Sequence, residues 1–158
     1  MFPERFTINS LLNSELVRRK LLEVVEPPQR VTWGFRRADK PYEGEIRDYT
    51  FKIRRIINYR NSFLPVIKGR IYAEGMGSKI EIEMKLEPLV FLFMLFWLGI
   101  VGNICIVSLT SMIYERKFSL DLMVPFGMFT CALLMTFIGF KSETKIAKQF
   151  LIDLLTGT

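Results

Sequence analysis

The chain has 158 residues, 50% of them hydrophobic, with 22 Lys and Arg against 16 Asp and Glu and a formal net charge of +6. It contains no histidine and only two cysteines. That removes the commonest general base and metal ligand, and leaves no soluble disulfide framework or cysteine zinc site; neither a metal nor an organic cofactor is expected.

Residues 7–26 carry a helical period. Leu12, Leu16, Leu22 and Val25 recur near 3.6-residue spacing with Arg18, Arg19 and Glu23 between them, while Leu21 and Val24 widen the apolar face. Asn9 or Ser10 is the expected cap, and Pro27-Pro28 ends the element. Such a helix either lies on lipid, with Arg18, Arg19 and Lys20 at phosphates, or packs on the following domain. Packing is the commoner cause of amphipathicity and is the reading adopted.

From Gln29 the period changes to two. Val31, Trp33 and Phe35 predict one strand, Tyr42 to Arg47 a second after a turn at Ala38–Pro41, and Asp48 to Arg60 a third with Phe51, Ile53, Ile57 and Tyr59 on one face. Asn61 to Pro65 breaks that strand, Val66 to Glu74 resumes it, and Gly75-Met76-Gly77-Ser78 reads as a hairpin turn. Lys79 to Glu87 has the cleanest alternation, with Ile80, Ile82, Met84 and Leu86 opposite Lys79, Glu81, Glu83, Lys85 and Glu87. A small antiparallel sheet with one dry and one wet face follows.

Two uncharged apolar runs come next, 89–113 and 122–140, separated by a polar loop 114–121. Each is about as long as the roughly 20 residues a helix needs to cross a bilayer. Most Lys and Arg precede the first run, and only Arg116 and Lys117 lie in the loop. Basic residues stay on the cytoplasmic side, so both termini are expected there. Residues 141–158 predict a last helix capped by Ser142, with Glu143 favourable in its first turn and Ile146, Ala147, Phe150, Leu151 and Leu154 as its stripe. The fold class is thus an α+β membrane protein: an N-terminal helix (1–28), a cytoplasmic sheet (29–88), a hairpin inserted at 89–140, and a C-terminal helix packed on the sheet.

Within the runs, Gly99, Gly102, Asn103 and Gly127 are candidate helix-packing positions. Cys105 and Cys131 count to similar depth from the outer ends of their runs and read as free, with a disulfide the alternative. Both runs lack carboxylates and bases, which argues against a proton-coupled pump.

The densest polar stretch is Arg54 to Pro65. Arg54, Arg60, Lys68 and Arg70 form either a basic surface for anionic lipid headgroups or a set of arginines and lysines that are solvated or pair with Glu43, Glu45, Glu81 and Glu83. Arg55 falls on the apolar face between Ile53 and Ile57 and needs a partner: Asp48, Glu87 or a lipid phosphate, unless a bulge turns it outward. Basic residues interleaved with acids, without a recognition motif, exclude nucleic acid as a partner, and no nucleophile–base motif points to an enzyme.

Residues 51–69, FKIRRIINYRNSFLPVIKG, resemble a stretch in uncharacterised bacterial inner-membrane proteins with two spans. The architecture, a small sheet closed by a C-terminal helix and tied to two spans, is similar to membrane-tethered bacterial pleckstrin-homology-like domains, although here the spans interrupt the domain rather than precede it. The expected function is a non-enzymatic interaction module at the cytoplasmic face, binding a protein partner, a like subunit or anionic headgroups. The alternative is a subunit of an oligomeric channel or transporter, with Asn103 and Thr110 on its path.

Overall fold

A computed structural model describes residues 3–28, 39–57, 59, 61–116 and 120–156. The first element is a strand, β1 (Glu4–Ser10), where Phe6 and Ile8 face the core and Arg5, Thr7 and Asn9 face out. The helix expected from residue 7 therefore starts later, as α1 (Ser14–Val24), capped by Asn13, whose Oδ1 accepts from Leu16 N at 2.8 Å. Its buried residues are Val17 and Leu21, whereas Leu16 and Leu22 are exposed. Of the expected apolar positions, Leu21 and Val25 are in the core and Leu12 and Val24 pack against it, while Val17, on the 4-residue step Val17–Leu21–Val25, takes the place of Leu16 and Leu22. The helix does pack on the sheet, as Val17 and Leu21 join the common core.

A two-residue strand, β2 (Val25–Glu26), follows directly. The strand expected around Val31–Phe35 lies outside the described residues. Then come β3 (Tyr42–Arg47), β4 (Thr50–Arg55), β5 (Pro65–Glu74) and β6 (Gly77–Leu86). The sheet order is β1-β6-β5-β4-β3-β2, and β2 runs parallel to β3 while every other pair is antiparallel. It is a mixed sheet, not the wholly antiparallel one that the alternation implied. The β5–β6 turn places Gly75 at φ 57, where a residue without Cβ carries no strain. Strand β4 stops at Arg55 instead of reaching Arg60; Ile56 N leaves the ladder for Pro41 O at 2.8 Å.

Tyr42, Ile53, Ile67, Ile80, Ile82 and Met84 make the dry face. It is covered by α1 and by the end of a very long helix, α3 (Val124–Thr156), through Ala147, Leu151 and Leu155. The separate C-terminal helix expected at residue 141 does not exist. Ser142 caps nothing and donates to Gly139 O at 3.4 Å, one turn back in the same helix. The stretch from Phe137 to Ile146 holds no proline, so the second apolar run continues without a break onto the sheet. Ile146, expected in the stripe, is exposed; Thr144 is buried instead.

Glu87 leads from β6 into α2 (Pro88–Glu115), whose Pro88 sits at the first helical position. A short 3-10 turn (Leu120–Met123) precedes α3. Helices α2 and α3 are both long and apolar enough to cross a membrane, with mean hydropathies of 2.5 and 1.5 over their most apolar windows. A core helix of a soluble domain would be mostly buried, but only 17% and 6% of these windows are. The pair packs through Met94, Val101, Cys105 and Ser108 of α2, a heptad-like line. Thr136 Oγ1 lies 3.8 Å from Met94 Sδ, and a Cβ on Gly102 would lie 3.5 Å from the Phe129 ring. That register puts Cys105 level with Pro125 and Phe126, and Cys131 level with Gly99 and Ile100, about 8 Å apart along the axis. The thiols are free, Cys105 buried and Cys131 exposed. Similar depth does not hold, because the outer ends of the two apolar runs are not level in this register.

Candidate functional site

Strand alternation sends the basic candidates to opposite sides of the sheet. Arg55 turns inward, toward the point where α3 reaches the sheet. There it meets Glu143, which is only 3% exposed, with Nη1 2.9 Å from Oε2. Tyr59 OH also donates to Glu143, and Asn61 Nδ2 lies 3.4 Å from Oε1. A buried carboxylate needs such donors, since removing its charge from water is costly. Asn61 Oδ1 accepts from Phe63 N at 2.9 Å, and Phe63 packs on Gly139, where a Cβ would come within 3.0 Å of its ring. The break at Asn61–Pro65 is therefore a clasp around α3 from Gly139 to Glu143. Neither Asp48 nor Glu87 serves Arg55.

The same joint contains Tyr42, buried beside Arg55 and Glu143 and with its ring centroid 5.1 Å from that of Phe150. Burial pushes its hydroxyl up to about 12; the Arg55 charge opposes the shift and the Glu143 charge adds to it. The hydrogen bond to Glu143 raises the Tyr59 hydroxyl as well. A folded pKa above the unfolded value means that the native state keeps its proton while the unfolded chain loses it. Tyr42 therefore contributes stability that is fully present below pH 10 and is lost as pH rises through about 12. The expected loss over that window is on the order of 3 kcal/mol. Denaturation midpoints measured from pH 9 to 12 should fall more steeply for the wild type than for Tyr42→Phe; parallel curves would disprove the assignment.

The outer face holds the other candidates. Two rows of side chains cross the strands side by side. One runs Arg5, Glu83, Lys68, Lys52, Glu45; the other runs Thr7, Glu81, Arg70, Thr50, Arg47. Between them is a trough of about 760 Å³ whose floor includes Gly69 and whose end is flanked by Tyr72. Its carboxylates are engaged: Glu83 with Arg5 and Lys85, each at 2.6 Å, Glu45 with Arg47 at 2.6 Å and Glu81 with Lys79 at 3.2 Å. These two hydrogen bonds hold the Glu83 carboxyl below its usual range. Lys52, Lys68 and Arg70 form no ion pair among the described residues, and Lys52 stands directly opposite Lys68. Like charges at that spacing repel, and an anion between them removes the repulsion.

Of the sequence candidates, Lys68 and Arg70 thus share the trough. Arg54 lies on the same face but is held by Glu43 at 2.6 Å, and Arg60 is outside the described residues. Lys52, Glu143, Tyr59 and Asn61 were missed. The alternation already put Lys52 beside Arg54 on the wet face, but its neighbour Lys68 follows only from the β4–β5 register. Gly102 lies in the α2–α3 contact, whereas Gly99 and Gly127 have open space and Asn103 is exposed. Set against family models, curated proteins and solved structures, the chain matches none.

Proposed function

We propose that the chain is a non-enzymatic binding module, anchored in a bacterial-type inner membrane by the α2–α3 hairpin, with the sheet and both termini in the cytoplasm. The outer trough takes an acidic segment of a protein partner. The observation that carries this reading is the set of cations, Lys52, Lys68 and Arg70, that share one concave surface and form no ion pair among the described residues. A flat bilayer meets a concave face only at its rim, whereas an extended chain can lie along it. The trough also stands off the membrane: Glu83, in the Lys68 row, is about 10 Å along β6 from Leu86, the residue nearest the hairpin.

The test uses nanodiscs of zwitterionic lipid and a fluorescent oligoglutamate peptide. Binding that weakens with salt and falls at least about tenfold in the triple variant Lys52→Glu, Lys68→Glu, Arg70→Glu supports the module. No binding by the wild type, or retention of anionic lipid by the same residues without peptide binding, overturns the acidic-segment reading. Orientation has its own check. Met76, at the tip of the β5–β6 turn, is 96% exposed. In a background with Cys105→Ser and Cys131→Ser, a Met76→Cys reporter should react with an impermeant maleimide only after the inner membrane is opened.

A further inference from the structure

We infer that the face of α2 turned away from α3 is a homodimer interface, in which Asn103 pairs with the Asn103 of a second copy. The inference rests on the membrane reading above. Asn103 lies about 180° around the helix from the line Met94, Val101, Cys105, Ser108 that contacts α3. Its amide therefore cannot turn to α3, and it has no hydrogen-bond partner among the described residues. Thr110, on the same stripe, satisfies itself by donating to Val107 O at 2.8 Å.

Depth makes this unpaired amide costly. By the hairpin register, the apolar stretch that both helices share runs from about residue 91 to about residue 109 of α2. Asn103 then sits about 5 Å from the middle and about 10 Å from the nearer edge of the hydrocarbon. No water reaches that depth to bond an amide, so the partner has to be another transmembrane helix.

The surface around Asn103 is shaped for one. Leu95, Phe96, Gly99, Ile100, Asn103 and Ile104 line a shallow groove of about 450 Å³, and Gly99, one turn below Asn103, has nothing within 4 Å of where a Cβ would be. A glycine there lets a second backbone approach. The occupant is chosen by complementarity. An amide carries both a donor and an acceptor, so two copies of Asn103 related by a twofold axis along the membrane normal satisfy each other. Copies inserted the same way bring their α2 helices parallel and Asn103 to the same depth, with no sequence required beyond this chain.

The test is disulfide trapping in membranes, using full-length protein with Cys105→Ser and Cys131→Ser. Asn103→Cys should form a covalent dimer on mild oxidation, whereas Val101→Cys, which faces α3, should not. In nanodiscs carrying the native cysteines, the wild type should have the mass of a dimer, and Asn103→Leu should dissociate at about tenfold lower dilution. Carbonate-resistant, monomeric protein without trapping at 103 overturns the dimer and leaves the anchor intact. Extraction by carbonate overturns the membrane reading and the dimer with it. A closed ring of four or more subunits, or equal trapping at 101 and 103, also overturns the twofold interface.

Discussion

Glu143→Ala is expected to destabilise the sheet domain by about 3–5 kcal/mol, the cost of leaving a charged partner uncompensated in a nearly buried site. Arg55 and Glu143 are the pair concerned, 2.9 Å apart, and Tyr59 and Asn61 also lose their acceptor. Arg55 is more exposed than Glu143, 28% against 3% by side chain, so it can recover some hydration once its partner is removed. That places Glu143→Ala at the low end of the range. The companion variant Arg55→Met with Glu143→Leu replaces the pair by apolar groups of similar size, and should regain most of the loss. Chemical denaturation in nanodiscs of the wild type, Arg55→Met, Glu143→Leu and their double variant gives the coupling directly. A loss below about 1 kcal/mol in Glu143→Ala would mean that the carboxylate does not hold the joint. The effect bears on the proposed function because Glu143 is where the long apolar helix α3 is fastened to the sheet domain, so release should let the sheet swing relative to the hairpin.

The second large effect is expected at Leu151, which is fully buried between α3 and the sheet. Leu151→Ala removes three carbons, a methine and two methyls, from the core cluster that also holds Ile8, Leu21 and Tyr42, and should cost about 2–5 kcal/mol. The apolar part of α3, residues 124–140, lies on the far side of Glu143 and does not depend on this contact. Limited proteolysis should therefore open the sheet while the hairpin stays protected. Equal loss of protection in both would mean that they form a single cooperative unit.

The two effects mark where sequence reading succeeded and failed. The alternation from Ile80 to Leu86 identified a strand and its buried face without any structure, because a period of two has one interpretation when it runs that long. The same rule showed that Arg55 faces inward and needs a partner. It did not supply Glu143, which is 88 positions away on another element. Strand β1 carried its own signal in Arg5, Phe6, Thr7, Ile8 and Asn9, but the longer helical period just beyond it was extended backward over the strand. What covered the pattern was overlap between two short elements.

By itself, the sequence determined two apolar helices of membrane-crossing length, a sheet with a dry and a wet face, and an amphipathic helix to cover part of the dry one. Each of these is a local pattern of hydrophobicity and charge, written over a few turns or a few alternations. Only the tertiary structure decided that the second apolar run and the C-terminal stripe are one helix, that β1 and β2 complete the sheet, that Arg55 and Arg54 serve opposite faces, and that Lys52 stands opposite Lys68. Strand register, helix continuity and long-range ion pairing depend on the energy of the packed whole, and no single stretch of the chain encodes it.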